Sequence, residues 1–202
     1  AVFDHLSTEY EKAWLLDAFV QPSLAKPIDG KRSVVISGQR GSGKSALAYW
    51  LQQQANANAT PILASTWIPQ FSRHDQDGYQ ASQSQIQQIF QSCITALLHF
   101  LGHHPAYFSD APHWVQDLLH WFIHHYSATV VPITLGRLQS SLPEAGYQTI
   151  REILTTTPAE ISMMELSHTE KLELLMSALC EIDIQDVWIL IDGLEPWLEI
   201  DD

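Results

Sequence analysis

Positive charge is what this sequence has least of. Its 202 residues hold 10 Lys and Arg against 23 Asp and Glu, a formal net charge of −13. The deficit is uneven. Six of the bases (Lys12, Lys26, Lys31, Arg32, Arg40, Lys44) share residues 1–45 with five acids. The other four (Arg73, Arg137, Arg151, Lys171) stand among eighteen acids in residues 46–202. A nucleic-acid groove neutralises phosphates with Lys and Arg, so nucleic acid is not an expected partner. Charge of either sign is missing from residues 46–72 and 78–109. So long an uncharged surface is expected to be covered by further domains or by another subunit of a homo-oligomer. The acidic remainder suits solubility, or a basic or neutral protein partner.

Cysteine is scarce as well. Cys93 and Cys180 lie far apart, match no metal-ligand spacing and sit in apolar helical sequence. Both are expected to be buried free thiols in a reducing cytoplasm. No run approaches the ~18–20 apolar residues of a membrane span, and no charged-then-apolar leader opens the chain. A soluble, cytoplasmic protein without membrane contact is therefore expected. No fixed-period repeat is present. Apolar residues make up 46% and aromatics 10%, including seven Trp. At this length that suffices for a core without staples.

The order of elements is legible in the pattern. Thr8 and Glu11 have capping-box spacing ahead of a helix that Pro22 ends. A linker containing Pro and Gly completes residues 1–30, and residues 31–202 form the domain proper. Ser33 to Ser37 read as a strand buried on both faces. A glycine-rich turn follows, then a helix from Lys44 to about Ala55 and a second strand over Ile62–Ile68. From there the period is helical. One helix, capped by Ser82 and Gln85, carries Ile86, Ile89, Phe90, Cys93, Leu97, Phe100 and Leu101 up to Gly102. Another runs from Pro112 to Tyr126 with Trp114, Leu118 and Phe122 on one stripe. Shorter helices are expected over Leu135–Leu142 and Glu144–Leu154. A further helix starts at Ser167 with Glu170 three residues on, and turns Leu172, Leu175, Met176 and Leu179 inward. The apolar run Val187 to Ile191 then leads into Asp192. Together these predict an α/β domain: a parallel sheet with a large helical insert between its phosphate-loop strand and its acidic strand.

The chemistry lies in the turn. Gly38-Gln39-Arg40-Gly41-Ser42-Gly43-Lys44-Ser45 satisfies G-x-x-x-x-G-K-[ST] at every fixed position. Glycines let the backbone adopt positive φ and come close to phosphates. Successive N–H groups, including that of Ala46, form an anion nest backed by the positive end of the helix. Lys44 is expected on the β- and γ-phosphates of ATP, and the Ser45 hydroxyl on Mg²⁺. A P-loop of this kind needs a carboxylate at the end of a neighbouring strand to hold the ion. Asp192 is the candidate, although Asp192-Gly193 also reads as an ordinary turn. Glu195 is the candidate for polarising the attacking water, against a plain solvated carboxylate in an acidic tail.

These two segments, Ser37 to Leu47 and Ile189 to Glu195, resemble the ATPase core of STAND and NACHT-like signalling ATPases and their AAA+ relatives. The motifs cover about 18 of the 202 residues. In that group the Mg²⁺ aspartate is often followed by Gly, an apolar residue and an acid, as in Gly193-Leu194-Glu195. The next position, often acidic there, is Pro196 here. The resemblance implies a nucleotide-gated switch with attached sensor and effector domains, of the sort found in signalling and defence. It also implies a sheet continuing past Asp192 to a sensor strand and an arginine finger. The sheet in residues 1–202 is thus expected to be incomplete, with slow hydrolysis and with C-terminal domains or a protein partner as the missing portion. Neither Arg137 nor Arg151 has a motif that nominates it as the finger.

Two other readings stay open. A nucleotide-kinase-type phosphotransferase shares the loop, but usually needs lid arginines that are scarce here. A nucleotide-binding interaction module without turnover is the third. The His pairs His99/His103 and His120/His124 have the i, i+4 spacing of zinc ligands but lack a third ligand, so surface or interface roles are expected of them. The Gln-rich stretches are expected to be solvated helix faces and the Trp residues core.

Overall fold

A computed structural model of the chain describes residues 43–57, 61–69, 78–127, 131–158, 163 and 165–191, with the backbone alone at 56–57, 78–82 and 132. The chain divides into two compact units, residues 1–54 and 55–202. The helix expected over Thr8–Val20, the strand over Ser33–Ser37 and most of the glycine-rich turn lie outside the described residues.

In the first unit the described portion is a helix, α1 (Lys44–Ala57), which runs on across the unit boundary. Leu47, Leu51 and Ala55 recur every four residues along it and are all buried, the stripe expected of an amphipathic helix.

The second unit begins with β1 (Ile62–Trp67), whose central residues Leu63, Ala64 and Ser65 are buried. The strand ends one residue earlier than its apolar run, because Ile68 is already 61% exposed. Six helices follow: α2 (Gly78–His103), α3 (Ala106–Ser109), α4 (His113–Tyr126), α5 (Val131–Gln139), α6 (Glu144–Thr155) and α7 (His168–Glu181). The chain then returns as β2 (Asp186–Ile191), which pairs in parallel with β1 in the register Ile62↔Asp186 to Trp67↔Ile191. Parallel neighbours need a crossover connection, and here the crossover is the whole helical segment.

The helices stop and start for local reasons. Pro112 and Pro143 precede the first turns of α4 and α6, with extended ψ of 145° and 150°. Ser167 caps α7 in a full capping box: its Oγ accepts from the Glu170 N–H, and its own N–H donates to the Glu170 carboxylate at 2.7 Å. At the other end of α7, Asp183 takes φ 60° and the Ile184 N–H returns to the Leu179 carbonyl at 2.9 Å. That closes the helix without the glycine usual at such a position and aims the chain into β2. Three expectations about starts and stops shift. The helix α2 begins four residues before Ser82, so Ser82 is not its cap. The fifth helix runs from Val131 to Gln139 instead of Leu135 to Leu142. Neither the pattern nor any cap announced the short α3.

The core lies among α2, α4, α6 and α7. Leu97, Leu101, Leu119, Phe122, Ile123, Ile150 and Leu179 are fully enclosed, and each contributes about 1.5–3 kcal/mol relative to exposure. Phe90 stacks on Tyr126 with centroids 4.5 Å apart. Where α2 and α6 meet, Gly146 lies so close to α2 that a Cβ there would fall 1.6 Å from the Gly102 carbonyl oxygen. A Cβ on Gly102 would meet only the tip of Leu142, at 2.5 Å. Among the described residues no helix is long and apolar enough to cross a membrane.

Several side-chain expectations are corrected here. Trp114 is 50% exposed, because it sits in the first turn of α4, ahead of the buried stripe that begins at Val115. Leu172 is 45% exposed, since the buried face of α7 runs through Lys171, Leu175, Ala178 and Leu179. Cys93 is buried as expected, but Cys180 is exposed, one position past Leu179 on that helix.

Candidate functional site

Of the nine residues expected to cradle a triphosphate, Gly43, Lys44, Ser45 and Ala46 are described. Gly38, Gln39, Arg40, Gly41 and Ser42 lie outside the described residues, as do Asp192 and Glu195. Gly43 has φ +85°, and a Cβ placed on it would meet nothing within 4 Å. Glycine is therefore needed there for its backbone angle and not for space. Its carbonyl accepts from the Leu47 N–H at 2.9 Å, which opens the hydrogen-bond ladder of α1. The N–H groups of Lys44, Ser45 and Ala46 precede that first rung at the positive end of the helix dipole. No acidic side chain sits in this first turn, so nothing on the helix itself competes for the end.

In the second unit, β1 and β2 run the same way and end level, with Trp67 paired to Ile191. Open parallel sheets bind ligands at the carboxyl edge of their strands. Asp192 follows Ile191 directly in the chain, and Glu195 is three residues further on. Beside the end of β1 a cavity of about 490 Å³ is lined, among the described residues, by Trp67, Ile68, Ser84, Gln87, Gln88 and Gln91, none of them charged. The Trp67 indole N–H donates to the Gln88 side-chain carbonyl at 3.3 Å. Below it, the buried Ser65 hydroxyl meets the Ser92 hydroxyl at 2.7 Å, tying β1 to α2. Burial pushes the Cys93 thiol up, and the Ser65 hydroxyl offsets this in part. A thiol so held stays protonated and is no nucleophile.

The histidines divide. His99 and His103 are both exposed on α2, with rings 6.2 Å apart. Partial desolvation of its ring, and then the neighbouring His103, pull His99 below the usual imidazole range. His120 is buried instead of lying at the surface. It and His124 donate Nε2–H to one acceptor, the Ile153 carbonyl, at 2.5 and 2.9 Å. That carbonyl lies in the last turn of α6, where helix acceptors run out of partners, so this pair ties α4 to α6. Among the described residues no three His, Cys, Asp or Glu side chains gather as a metal site would require. Arg137 and Arg151 are both exposed.

One constellation had no motif to announce it. Lys171, one of the four scarce cations beyond the loop, is 6% exposed and holds its ammonium 5.9 Å from the Trp121 ring centre. His168, one turn earlier on α7, and Gln83 of α2 meet beside it. Only the His/Lys i, i+3 spacing could have hinted at it, and such spacing is commonplace on helix surfaces.

No family model, curated protein or solved structure matches the chain.

Proposed function

We propose that the chain binds ATP with Mg²⁺ at Gly38–Ala46 and serves as a nucleotide-gated switch module of a larger signalling or defence ATPase. The observation that carries this reading is the junction at Gly43. The last glycine of the phosphate-loop motif has positive φ, and a helix opens at the next residue, Lys44. That union is what an anion nest at a helix N-terminus needs. The parallel pairing of β1 with β2, the strand that leads into Asp192, is consistent with a carboxylate at a sheet's carboxyl edge. In this reading Lys44 supplies charge to the β- and γ-phosphates. Ser45 and Asp192 hold the ion, and Glu195 orients water for slow hydrolysis.

Titration calorimetry tests it. The 202-residue chain should bind ATP with Mg²⁺, and Lys44→Ala should weaken binding by about 100-fold or more, the loss of two charge-assisted hydrogen bonds. Asp192→Asn should cost more affinity with Mg²⁺ than without it. A folded Lys44→Ala protein that binds ATP as well as the native chain would end the proposal.

A further inference from the structure

One indole ring joins α4 to α7. Trp121 of α4 is buried, and the Lys171 ammonium of α7 lies 5.9 Å from its ring centre, within reach of a cation–π attraction. His125, one turn further along α4, stacks on the same ring with centroids 4.6 Å apart and planes 12° from parallel. Lys171 is buried too, so water screens its charge poorly. His125 is exposed, and its ring can exchange protons with solvent. Its charge is therefore the variable one at this seam, because imidazole changes charge near neutral pH. The groups around it set the direction. Among the described residues, Lys171 and His168 of α7 line the same cleft, and α2 contributes Gln83, Ser84 and Gln87, which carry no charge. Tyr126, in edge contact with His125 at 4.7 Å, stays un-ionised because burial pushes its hydroxyl up. Glu170, beside Lys171 in the chain, is engaged with Ser167. The C-terminal end of α4 favours a cation in its last turn, whereas Lys171 opposes one. The opposition prevails: partial desolvation of the ring, and then Lys171, pull His125 below the usual imidazole range.

We propose that the first turns of α7 dock on α4 through an acid-sensitive contact, held while His125 is neutral and loosened once it takes a proton. The neutral ring stacks on Trp121 and leaves Lys171 the only cation beside that indole. An imidazolium adds a second cation at the same indole, and like charges so placed repel. The sign follows from linkage. His125 takes a proton more readily in the unfolded chain than in the folded one, so its contribution is full above its unfolded pKa and is lost as pH falls through the folded one. The Glu170 carboxyl, held below the usual range, responds only in stronger acid. The loosening should stop partway along α7, because Leu175, Ala178 and Leu179 are packed in the core. The contact does not depend on the nucleotide reading, since every residue in it belongs to the second unit.

Imidazole NMR and amide hydrogen exchange on the 202-residue chain across roughly pH 5–8, the range in which imidazole changes charge, test the contact. His125 should titrate at lower pH in the folded chain than in the same chain unfolded in urea, and Lys171→Met should move its midpoint up. As pH falls, the exchange protection of the Lys171 and Leu172 amides should drop while that of Leu179 holds. His125→Gln, a change at an exposed position that leaves the core untouched, should remove that drop. It keeps the test decisive even if Lys171→Met fails to fold. Any of three results would overturn the proposal: a His125 midpoint equal in the folded and unfolded chain, a midpoint unmoved in a folded Lys171→Met protein, or an undiminished loss of protection in His125→Gln.

Discussion

Gly43 and Gly146 are both indispensable in their places, for opposite reasons. At the start of α1 the space around Gly43 is open and the backbone angle, φ +85°, is what excludes other residues. At the α2–α6 contact the backbone angle of Gly146 is ordinary, and it is the Gly102 carbonyl that leaves no room for a side chain. The first requirement is local and is written in a motif. The second exists only once two helices far apart in the chain have met. A sequence displays the former and hides the latter.

The contrast can be broken by substitution. The largest effect is expected at the contact: Gly146→Ala should destabilise the fold by about 1–3 kcal/mol, as overpacking against an unyielding neighbour does. Urea unfolding should show a lower midpoint, and Gly102→Ala, which meets only the flexible Leu142 tip, should cost less. Next comes Gly43→Ala, with strain of about 1–2 kcal/mol from a left-handed backbone. Its loss should appear in ATP affinity more than in the melting of the second unit. Gly136, in mid-α5 with nothing within 4 Å of an added Cβ, is the control. Gly136→Ala should raise stability by about 0.5–1 kcal/mol, and a destabilised protein there would discredit the geometric reasoning at Gly146.

The smallest effect concerns pH. The Ser167 hydroxyl and backbone N–H hold the Glu170 carboxyl below the usual range. A carboxyl depressed in the folded state contributes stability above its unfolded pKa, and loses that contribution as pH falls through the folded pKa. Glu170→Gln should therefore be slightly less stable at neutral pH, with the difference vanishing in acid. Thermal melts across pH 3–7 would reveal a constant difference if the capping box carries no charge-dependent part.

The elements were largely legible, because caps and period act over one turn. The Ser167–Glu170 box, the helix starts at Pro112 and Glu144 and the strand runs at Ile62 and Val187 all stand where the pattern puts them. Faces were harder to read. An apolar stripe through Leu172, Leu175, Met176 and Leu179 fits α7 by hydrophobicity, yet the helix is rotated so that Lys171 takes the inward place and Leu172 the outward one. That rotation goes with the packing of Leu175, Ala178 and Leu179 into the core, which leaves Lys171 over Trp121, a tertiary arrangement with no local trace. Cys180 and Trp114 went astray similarly, one step off a buried face. Of the candidate nucleotide site four residues are in view: Gly43 at positive φ and the first three residues of α1. The cleft around Lys171 is the reverse case: its residues come from positions 83 to 171, and no spacing rule links them.

The pairing of β1 with β2 also has a consequence in time. Residues 68–185 separate the two strands, so a growing polypeptide completes β1 and must then add the entire crossover before the partner exists. At ribosomal speed that wait is on the order of ten seconds, long compared with the microseconds in which helices form. During it β1 waits without β2, its partner among the described residues, the condition in which apolar strands find wrong partners. The Ser65–Ser92 contact offers α2 as an early shelter. The sheet is then the last thing to close, and its slow, long-range closure should set the folding rate of the second unit.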